Sequence, residues 1–230
     1  KHCYSISADT DFKGELTTEE ALTVLDDLKG FKVPALILSG GEPLLRPDIY
    51  QLGARAKALG IYTGLSTNGT LIDEKEIERL KEVGFDYVGI SIDGLEAKKG
   101  AFAASFKAVE LCRAAGIKVG LRFTLTEDNA HELPELLRIS KENNIEKFYL
   151  SHLNYAGRGN KNRADDAFHI TTRKALDLLL QEALKDVREG HEREFVTGNN
   201  DADGVYLYRW ALQQFPERAE AIREHLEAWG

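Results

Sequence analysis

The sequence lacks methionine altogether and has only two cysteines, Cys3 and Cys112, among its 230 residues. Two widely separated cysteines exclude the disulfide framework of a small secreted protein. The sequence also has no apolar run near the ~20 residues that a membrane-spanning helix needs, and it opens with no signal peptide. Because average composition predicts about five methionines in a chain of this length, we expect that residues are missing from the sequence as written.

Basic residues are too few to give the chain an excess of positive charge. There are 30 Lys and Arg against 38 Asp and Glu, a formal net charge of −8, and non-specific phosphate binding requires the opposite sign. A chain of this size buries roughly 70–75% of the surface that it exposes when unfolded, so it needs no disulfides for stability. We therefore expect a soluble, cytoplasmic, globular protein that binds neither nucleic acid nor membrane.

Apolar runs typical of buried strands alternate with amphipathic helical stretches every 25 to 29 residues. The predicted strands are Ala35–Leu38, Tyr62–Leu65, Tyr87–Ile92, Lys118–Leu125 and Lys147–Leu153. The predicted helices are Thr17–Lys29, Pro47–Leu59, Asp73–Val83, Phe102–Ala115 and His131–Asn143. A Gly or Asn follows each of the last four helices, as left-handed helix ends require. This alternation predicts an α/β fold with a parallel sheet, either flat and doubly wound or curved into a partial barrel.

The pattern changes after the fifth predicted strand. A loop of Gly, Asn and basic residues, Gly157–Asn162, precedes a predicted helix, Thr171–Glu189, and a polar stretch, Val196–Asp203. The last segment is a helical run, Val205–Trp229, that Pro216 interrupts. These final helices could form a lid, a bridge to another domain or a packing cap.

Ligands of parallel α/β sheets bind at the carboxyl ends of the strands, so the residues there are the candidates for a site. Gly40, Gly41, Glu42 and Pro43 follow the first predicted strand. Paired glycines let a backbone approach a ligand closely, and a carboxylate beside main-chain carbonyls suits an ammonium group. A tight turn without any ligand explains this segment equally well.

The next two predicted strands also end in polar residues. Thr67 and Asn68 could reach a polar ligand, although turn capping accounts for these residue types by itself. Ser91 and Asp93 have the period-two spacing that places both on one face of a strand. An Asp-Gly turn is the simpler alternative for Asp93, so neither pair identifies a site alone.

Arg122 interrupts the apolar fourth predicted strand. A guanidinium buried in a central strand without a partner costs several kcal/mol, so we expect an anion beside it. That anion is either a ligand carboxylate or a neighbouring Asp or Glu. In the fifth predicted strand, Leu153 could supply an apolar wall of a site or pack in the core. His152 is more typical of a hydrogen-bonded structural histidine than of a catalyst.

Three other chemistries find no support in the sequence. His2 and Cys3 lack the spaced partners of a zinc site, and no base can be paired with a nucleophile. The Gly40-Gly41 turn lacks the Lys-Ser/Thr of a phosphate-binding loop. Cys112 lies on the apolar side of its predicted helix, which fits core packing.

Taken in order, these segments resemble the radical S-adenosylmethionine (SAM) superfamily. His2-Cys3-Tyr4 resembles the end of the family's C-x-x-x-C-x-x-C loop, which binds a 4Fe-4S cluster. Gly-Gly-Glu-Pro, Ser-Thr-Asn-Gly and Ser-Ile-Asp-Gly match the family's strand ends in order. The resemblance covers about Lys1–Gly157. It implies a partial (β/α)6 TIM-like barrel that binds SAM, which one electron cleaves to release a 5′-deoxyadenosyl radical.

The same resemblance implies roles for individual residues. Cys3 corresponds to a cluster ligand, and the Gly-Gly-Glu-Pro segment to the site of the SAM amino group, with Gly40, Gly41, Glu42 and Pro43. Ser91 corresponds to a contact with the ribose or the carboxylate of SAM, and Arg122 to a carboxylate partner. The remaining candidate SAM contacts are Thr67, Asn68, Asp93 and, as an adenine wall, Leu153.

Four stretches resemble one branch of the family more closely, the SPASM-like branch with auxiliary C-terminal clusters, and within it the NirJ-type proteins of haem d1 biosynthesis. They are residues 36–48, 65–74, 90–97 and 197–208. This resemblance implies removal of propionate side chains from a sirohaem-derived tetrapyrrole, a reductant of the flavodoxin or ferredoxin type, and an auxiliary iron–sulfur cluster. Arg158, Lys161 and Arg163 could contact an acidic tetrapyrrole, although a solvated basic loop explains them as well.

The sequence departs from the family pattern in three places. We expect missing residues before Lys1, where the other cluster cysteines would lie, between Ala97 and Lys98, and beyond Gly230. We expect residues 1–157 to form the barrel and residues 158–230 a helical extension that leads to an auxiliary-cluster domain. The alternatives are a radical SAM peptide or protein maturase, a related haem-biosynthesis decarboxylase, and a non-catalytic barrel that binds a nucleotide or a partner.

Overall fold

The computed structural model describes residues 14–95 and 99–229. Within these residues, six strands form one parallel sheet in chain order: β1 Ala35–Leu38, β2 Tyr62–Thr67, β3 Tyr87–Ser91, β4 Val119–Thr124, β5 Lys147–Ser151 and β6 Glu194–Gly198. The helices are α1 Thr18–Gly30, α2 Ile49–Ala58, α3 Glu74–Val83, α4 Lys99–Ala114, α5 Leu133–Glu142, α6 Gly157–Lys161, α7 His169–Glu189, α8 Ala202–Gln214 and α9 Ala219–Trp229. The sheet is curled into a half-barrel with helices outside it, so the predicted fold class is confirmed.

Local sequence signals set the ends of the helices. Thr17 and Glu20 form a capping box at the start of α1, in which each side chain accepts from the other's backbone N–H. Left-handed residues follow helices at Gly84 (φ 74°) and Asn144 (φ 47°), as the sequence predicts. The predicted helix ends lie within three residues of those in the structure. Among the described helices, none combines the length and apolar character that a bilayer crossing needs.

The two faces of the sheet differ in composition, and this difference makes room for a site. Outward-facing strand residues pack beneath the helices; Ile90, Phe123 and Phe148 are at most 1% exposed. The inner face instead has glycines, and a Cβ on Gly120 would lie 2.3 Å from the phenol oxygen of Tyr87. Tyr87 fills the barrel toward the amino ends of the strands, and burial raises its pKa to about 12.

The sixth strand lies in a segment where the sequence pattern predicts no strand. β6 pairs in parallel with β5, from Lys147 opposite Glu194 to Ser151 opposite Gly198. The first three residues of the polar stretch Val196–Asp203 therefore belong to a strand, and the sheet continues into the segment after residue 157 that we expected to be a helical extension.

A buried ion pair fixes the connection between α7 and β6. The side chain of Asp186 is 1% exposed and that of Arg193 is 6% exposed, and Arg193 Nε donates to Asp186 Oδ2. Lys141 Nζ lies 3.2 Å from Asp186 Oδ1. Burial alone would raise the pKa of Asp186, but the two cations outweigh burial and hold that pKa below its usual value.

Candidate functional site

A cavity of about 700 Å³ opens at the carboxyl ends of the strands. This volume is within the usual range for small-molecule and cofactor sites. Of the ten predicted SAM contacts, seven line the cavity: Gly40, Gly41, Thr67, Asn68, Ser91, Asp93 and Arg122. The strand-end rule therefore brings these residues together, as the sequence predicts, although their contacts with SAM remain a prediction.

The other three predicted contacts do not line the cavity in this structure. Leu153 is 6% exposed, and its Cδ1 lies near Gly159 of α6. Pro43 is buried at the start of a single helical turn. Glu42 is half-buried and its carboxylate faces the adjoining loops. The predicted adenine wall at Leu153 thus has no support from the cavity geometry.

Glu42 joins the carboxyl ends of β1 and β2. Its Oε1 accepts a hydrogen bond from Thr67 Oγ1 at 2.7 Å, and its Oε2 accepts one from the backbone N–H of Asn68 at 2.9 Å. The backbone N–H of Leu44 also donates to Oε1, at 3.2 Å. These hydrogen bonds hold the Gly40-Gly41 turn beside the loop after β2. Glu42 itself does not line the cavity, and it affects the cavity by fixing the position of that turn.

Two residues between β4 and α5 hold the loop after β3 in place. Asn129 Nδ2 donates to the backbone carbonyl of Asp93 at 3.2 Å, and the buried carboxylate of Glu132 accepts from the backbone N–H of Leu95.

In the loop after β2, Asn68 Oδ1 accepts from the backbone N–H of Thr70 at 2.8 Å. The Asn68 side chain therefore caps its own turn, as the simpler alternative proposes.

Arg122 lies on the inner face of β4, in register with Ser91 on β3. Its guanidinium carbon is 4.5 Å from the ring centroid of Tyr149, a stacked cation–π contact. Within residues 14–95 and 99–229, no carboxylate forms an ion pair with Arg122. The alternative of a neighbouring Asp or Glu is therefore not seen there, and the N–H groups of Arg122 are left for a ligand anion.

The charged residues that line the cavity are mostly positive, although the whole chain is negative. Arg122 and Arg158 are its cations and Asp93 is its anion, whereas the chain carries a formal net charge of −8. Of the three loop cations expected at an acidic ligand, only Arg158 lines the cavity; Lys161 and Arg163 do not. A site with this lining attracts anionic ligands.

The structure pairs His152 with Asp203, two residues that no sequence pattern connects. His152 lines the cavity just beyond β5, and its Nε2 is 2.8 Å from Asp203 Oδ2 on α8. The expectation that His152 is hydrogen-bonded is thus confirmed. The only sequence signal for Asp203 was its position inside the stretch 197–208, which also supplies Asn199 to the cavity.

No metal site lies within the described residues. Cys3, the predicted cluster ligand, is outside them, and residues 14–95 and 99–229 contain no group of three His, Cys, Asp or Glu that could hold a metal ion. Cys112 is fully buried, and burial raises the pKa of its thiol to about 12. Because a thiolate is the form that binds iron, Cys112 is not a candidate ligand.

Comparison with known proteins decides the family. Residues 1–139 match the Radical SAM superfamily. The chain belongs to this superfamily. Among solved structures, the radical SAM chain resembles Streptococcus suis SuiB bound to S-adenosylmethionine, with a TM-score of 0.70 and 19% identity over 88% of this chain and 48% of that one. This likeness confirms the half-barrel fold.

Two curated relatives match the radical SAM chain along nearly all its length. Pre-heme d1 synthase of Dinoroseobacter shibae is 55% identical over 100% of this chain and 59% of its own length. Fe-coproporphyrin III synthase of Methanosarcina barkeri is 41% identical over 98% of this chain and 58% of its own. The chain thus spans less than two thirds of the length of these relatives.

Proposed function

We propose that this chain is the SAM-binding barrel of an enzyme of haem d1 biosynthesis, which removes propionate side chains from a sirohaem-derived tetrapyrrole. The observation that carries the proposal is the 55% identity with pre-heme d1 synthase over the whole chain. The excess of arginine over aspartate in the cavity supports it, because propionates are carboxylates and require cationic or N–H partners.

The cavity fits SAM in its polar groups as well as in its size. Arg122 supplies a guanidinium without an ion-pair partner among the described residues, which suits the carboxylate of SAM. A Cβ on Gly40 would have no neighbouring atom within 4 Å, so a ligand can approach this backbone closely. Ser91 and Asp93 add a hydroxyl and a carboxylate from β3 and its loop, which suit ribose hydroxyls.

The cluster is the second group that the family implies. Cys3 is a thiol of the type that iron–sulfur clusters require, and it would hold the cluster together with cysteines that we expect before Lys1. When bound there, the cluster would supply the electron that activates SAM for hydrogen-atom abstraction. The chain's described residues serve that chemistry by binding, orienting and shielding the reactants.

Three local arrangements support those tasks. Glu42 ties the Gly40-Gly41 turn to the loop after β2, so that the backbone beside the SAM amino group has a fixed position. Stacking on Tyr149 limits the directions in which the Arg122 guanidinium can point. Tyr87, 5% exposed, fills the barrel toward the amino ends of the strands and keeps water from entering on that side.

Further components of the function are proposals that follow from the family. SAM cleavage consumes one electron, so we propose a reductant of the flavodoxin or ferredoxin type. We also propose an auxiliary iron–sulfur cluster in a domain beyond Gly230 and a cytoplasmic location. Because β6 belongs to the sheet, we propose that the barrel extends past residue 157 to Gly198. The identity of 41% with Fe-coproporphyrin III synthase keeps a related haem-biosynthesis reaction as the second candidate.

Product analysis of the full-length protein tests the proposal. After anaerobic cluster reconstitution, the protein is incubated with SAM, a reductant and didecarboxysirohaem, and tetrapyrroles are analysed by mass spectrometry. We expect 5′-deoxyadenosine together with a tetrapyrrole that has lost propionate mass, and no such product from the Cys3→Ala variant. An unchanged tetrapyrrole alongside a modified candidate peptide would support a maturase instead. Absence of SAM cleavage would favour a non-catalytic barrel.

A further inference from the structure

The His152–Asp203 pair stands at the cavity wall, and nothing in the SAM-binding arrangement above uses it. The two side chains are 10% and 9% exposed, and the distance from Nε2 to Oδ2 is 2.8 Å. The backbone around His152 is also fixed, because its N–H donates to the carbonyl of Gly198 at 3.0 Å. The imidazole therefore has one defined orientation, set by α8 on one side and by the end of β6 on the other.

The hydrogen bond to Asp203 determines which ring nitrogen of His152 remains for a ligand. An ionised carboxylate only accepts hydrogen bonds, so Nε2 of His152 carries a proton. Asp203 does not line the cavity, whereas His152 does. Nδ1 is the remaining polar atom of the ring, and within the described residues it has no hydrogen-bond partner. A protonated imidazole would donate from Nδ1 to a ligand while Asp203 stabilises the opposite edge.

The charges around His152 favour a ligand with a carboxylate. Arg158 of α6 and Arg122 of β4 line the same cavity as cations, Asp93 lines it as the anion, and Asp203 faces the ring from α8. A protonated His152 would add a further donor beside Arg158. Carboxylates accept several such hydrogen bonds at once, and bonds that join two charged groups are the strong ones.

We propose that His152 is a substrate-binding residue that contacts a carboxylate of the tetrapyrrole, and that Asp203 is the residue that positions it. This inference rests on the proposed function and assigns one wall of the cavity to the acidic side chains of the substrate. A purely structural His152 would also tie α8 to the sheet, so the test must separate lost recognition of the acid from lost folding.

The test is an absorbance titration of the reconstituted full-length protein with didecarboxysirohaem, the substrate of the proposed function, and with its methyl ester. His152→Gln should weaken binding of the acid about tenfold or more, as expected for loss of a hydrogen bond to a charged group, and leave the ester unchanged. Asp203→Asn should weaken acid binding in the same direction. His191→Gln is the matched control, because His191 lies 3.6 Å from Glu189, outside the cavity.

A second variant keeps the inference testable if His152→Gln does not fold. Asp203→Asn leaves the imidazole in place and replaces only the carboxylate that positions it, so acid binding should weaken while ester binding stays constant. A folded His152→Gln protein that binds the acid normally, or that loses acid and ester equally, would overturn the inference. If His152→Gln does not fold, an Asp203→Asn protein that binds the acid like wild type would overturn it. Wild-type protein that binds neither form would instead refute the proposed function, and the inference with it.

Discussion

The hydroxyl of Thr67 donates a 2.7 Å hydrogen bond to the carboxylate of Glu42, so the carboxyl ends of β1 and β2 are tied to each other. The glycines that precede Glu42 line the cavity on one side of this bond, and Thr67 and Asn68 line it on the other. One half-buried carboxylate thus sets the spacing of two loops that we assign to SAM binding.

Replacing Glu42 with Gln should loosen both loops. The carboxylate accepts with both oxygens, whereas an amide has one acceptor oxygen. The Thr67 hydroxyl can turn to accept from the amide, but one of the backbone N–H donors, that of Asn68 or that of Leu44, loses its partner. We expect the free energy of unfolding to fall by about 1–3 kcal/mol and SAM affinity to fall about tenfold. Urea unfolding measures the free energy of unfolding, and calorimetric titration measures the SAM affinity. Glu74→Gln, which alters an exposed pair with Lys107, should change neither, and unaltered SAM affinity in Glu42→Gln would contradict the assignment.

Arg122→Gln should affect binding more than stability. The described residues give Arg122 a stacked ring but no counter-ion, so removal of its charge leaves no carboxylate unpaired. We expect a melting temperature within about 2 °C of wild type and SAM affinity lowered roughly tenfold to a hundredfold. Arg79, stacked 3.8 Å from the centroid of Tyr50, provides the control Arg79→Gln. A strongly destabilised Arg122→Gln with normal SAM binding would show that Arg122 is structural.

The Asp186–Arg193 pair should make stability depend on pH. The folded-state pKa of Asp186 lies below its unfolded value of about 3.9, so the pair's contribution is complete above that value and is lost as the pH falls through the folded pKa. Asp186→Asn should lower the free energy of unfolding by about 3 kcal/mol at pH 7, because Arg193 is left buried and unpaired. The difference from wild type should shrink at pH 3.

Urea unfolding at both pH values measures this effect. The control is Glu135→Gln, whose carboxylate pairs with Arg138 on the exposed face of α5. Exposed pairs contribute under about 1 kcal/mol, so this variant should unfold like wild type at pH 7. An Asp186→Asn protein that is as stable as Glu135→Gln at pH 7 would refute the role of the buried pair.

The two cysteines should behave differently. Burial raises the pKa of the Cys112 thiol to about 12 and leaves it unexposed, so iodoacetamide at pH 8 should modify Cys112 only after unfolding. Cys112→Ala should retain the iron content of the reconstituted full-length protein, whereas Cys3→Ala should lose the iron of the barrel cluster, about four atoms per chain, and keep that of the auxiliary cluster. Mass spectrometry and iron analysis measure these outcomes. Equal iron in both variants would exclude Cys3 as a cluster ligand.

Much of the fold is predictable because each of the first five strands is an apolar run, and each of the first four is followed by a helix with a Gly or Asn stop. β6 does not follow this pattern. It begins with Glu194 and ends with Gly198, and it lies half-buried at the edge of the sheet. A strand of this composition has the same local character as a loop, and only pairing with β5 decides its conformation.

The site is predictable where it depends on strand ends and not where it depends on long-range contacts. Ser91 and Arg122 come together because parallel strands end at one edge. Leu153 was assigned from a strand that in fact ends at Ser151, so alternation along the strand no longer sets its direction. His152 and Asp203 are 51 residues apart, and no spacing rule connects a strand end with a helix so distant in the chain.

The central claim is that SAM binds in the cavity formed by the strand ends, next to an iron–sulfur cluster. The most direct measurement is a crystal structure of the anaerobically reconstituted full-length protein with SAM. We predict electron density for SAM between the Gly40-Gly41 turn and Arg122, with Cys3 bonded to iron at the same end of the barrel. Density for SAM at another surface, or iron held without Cys3, would contradict the account.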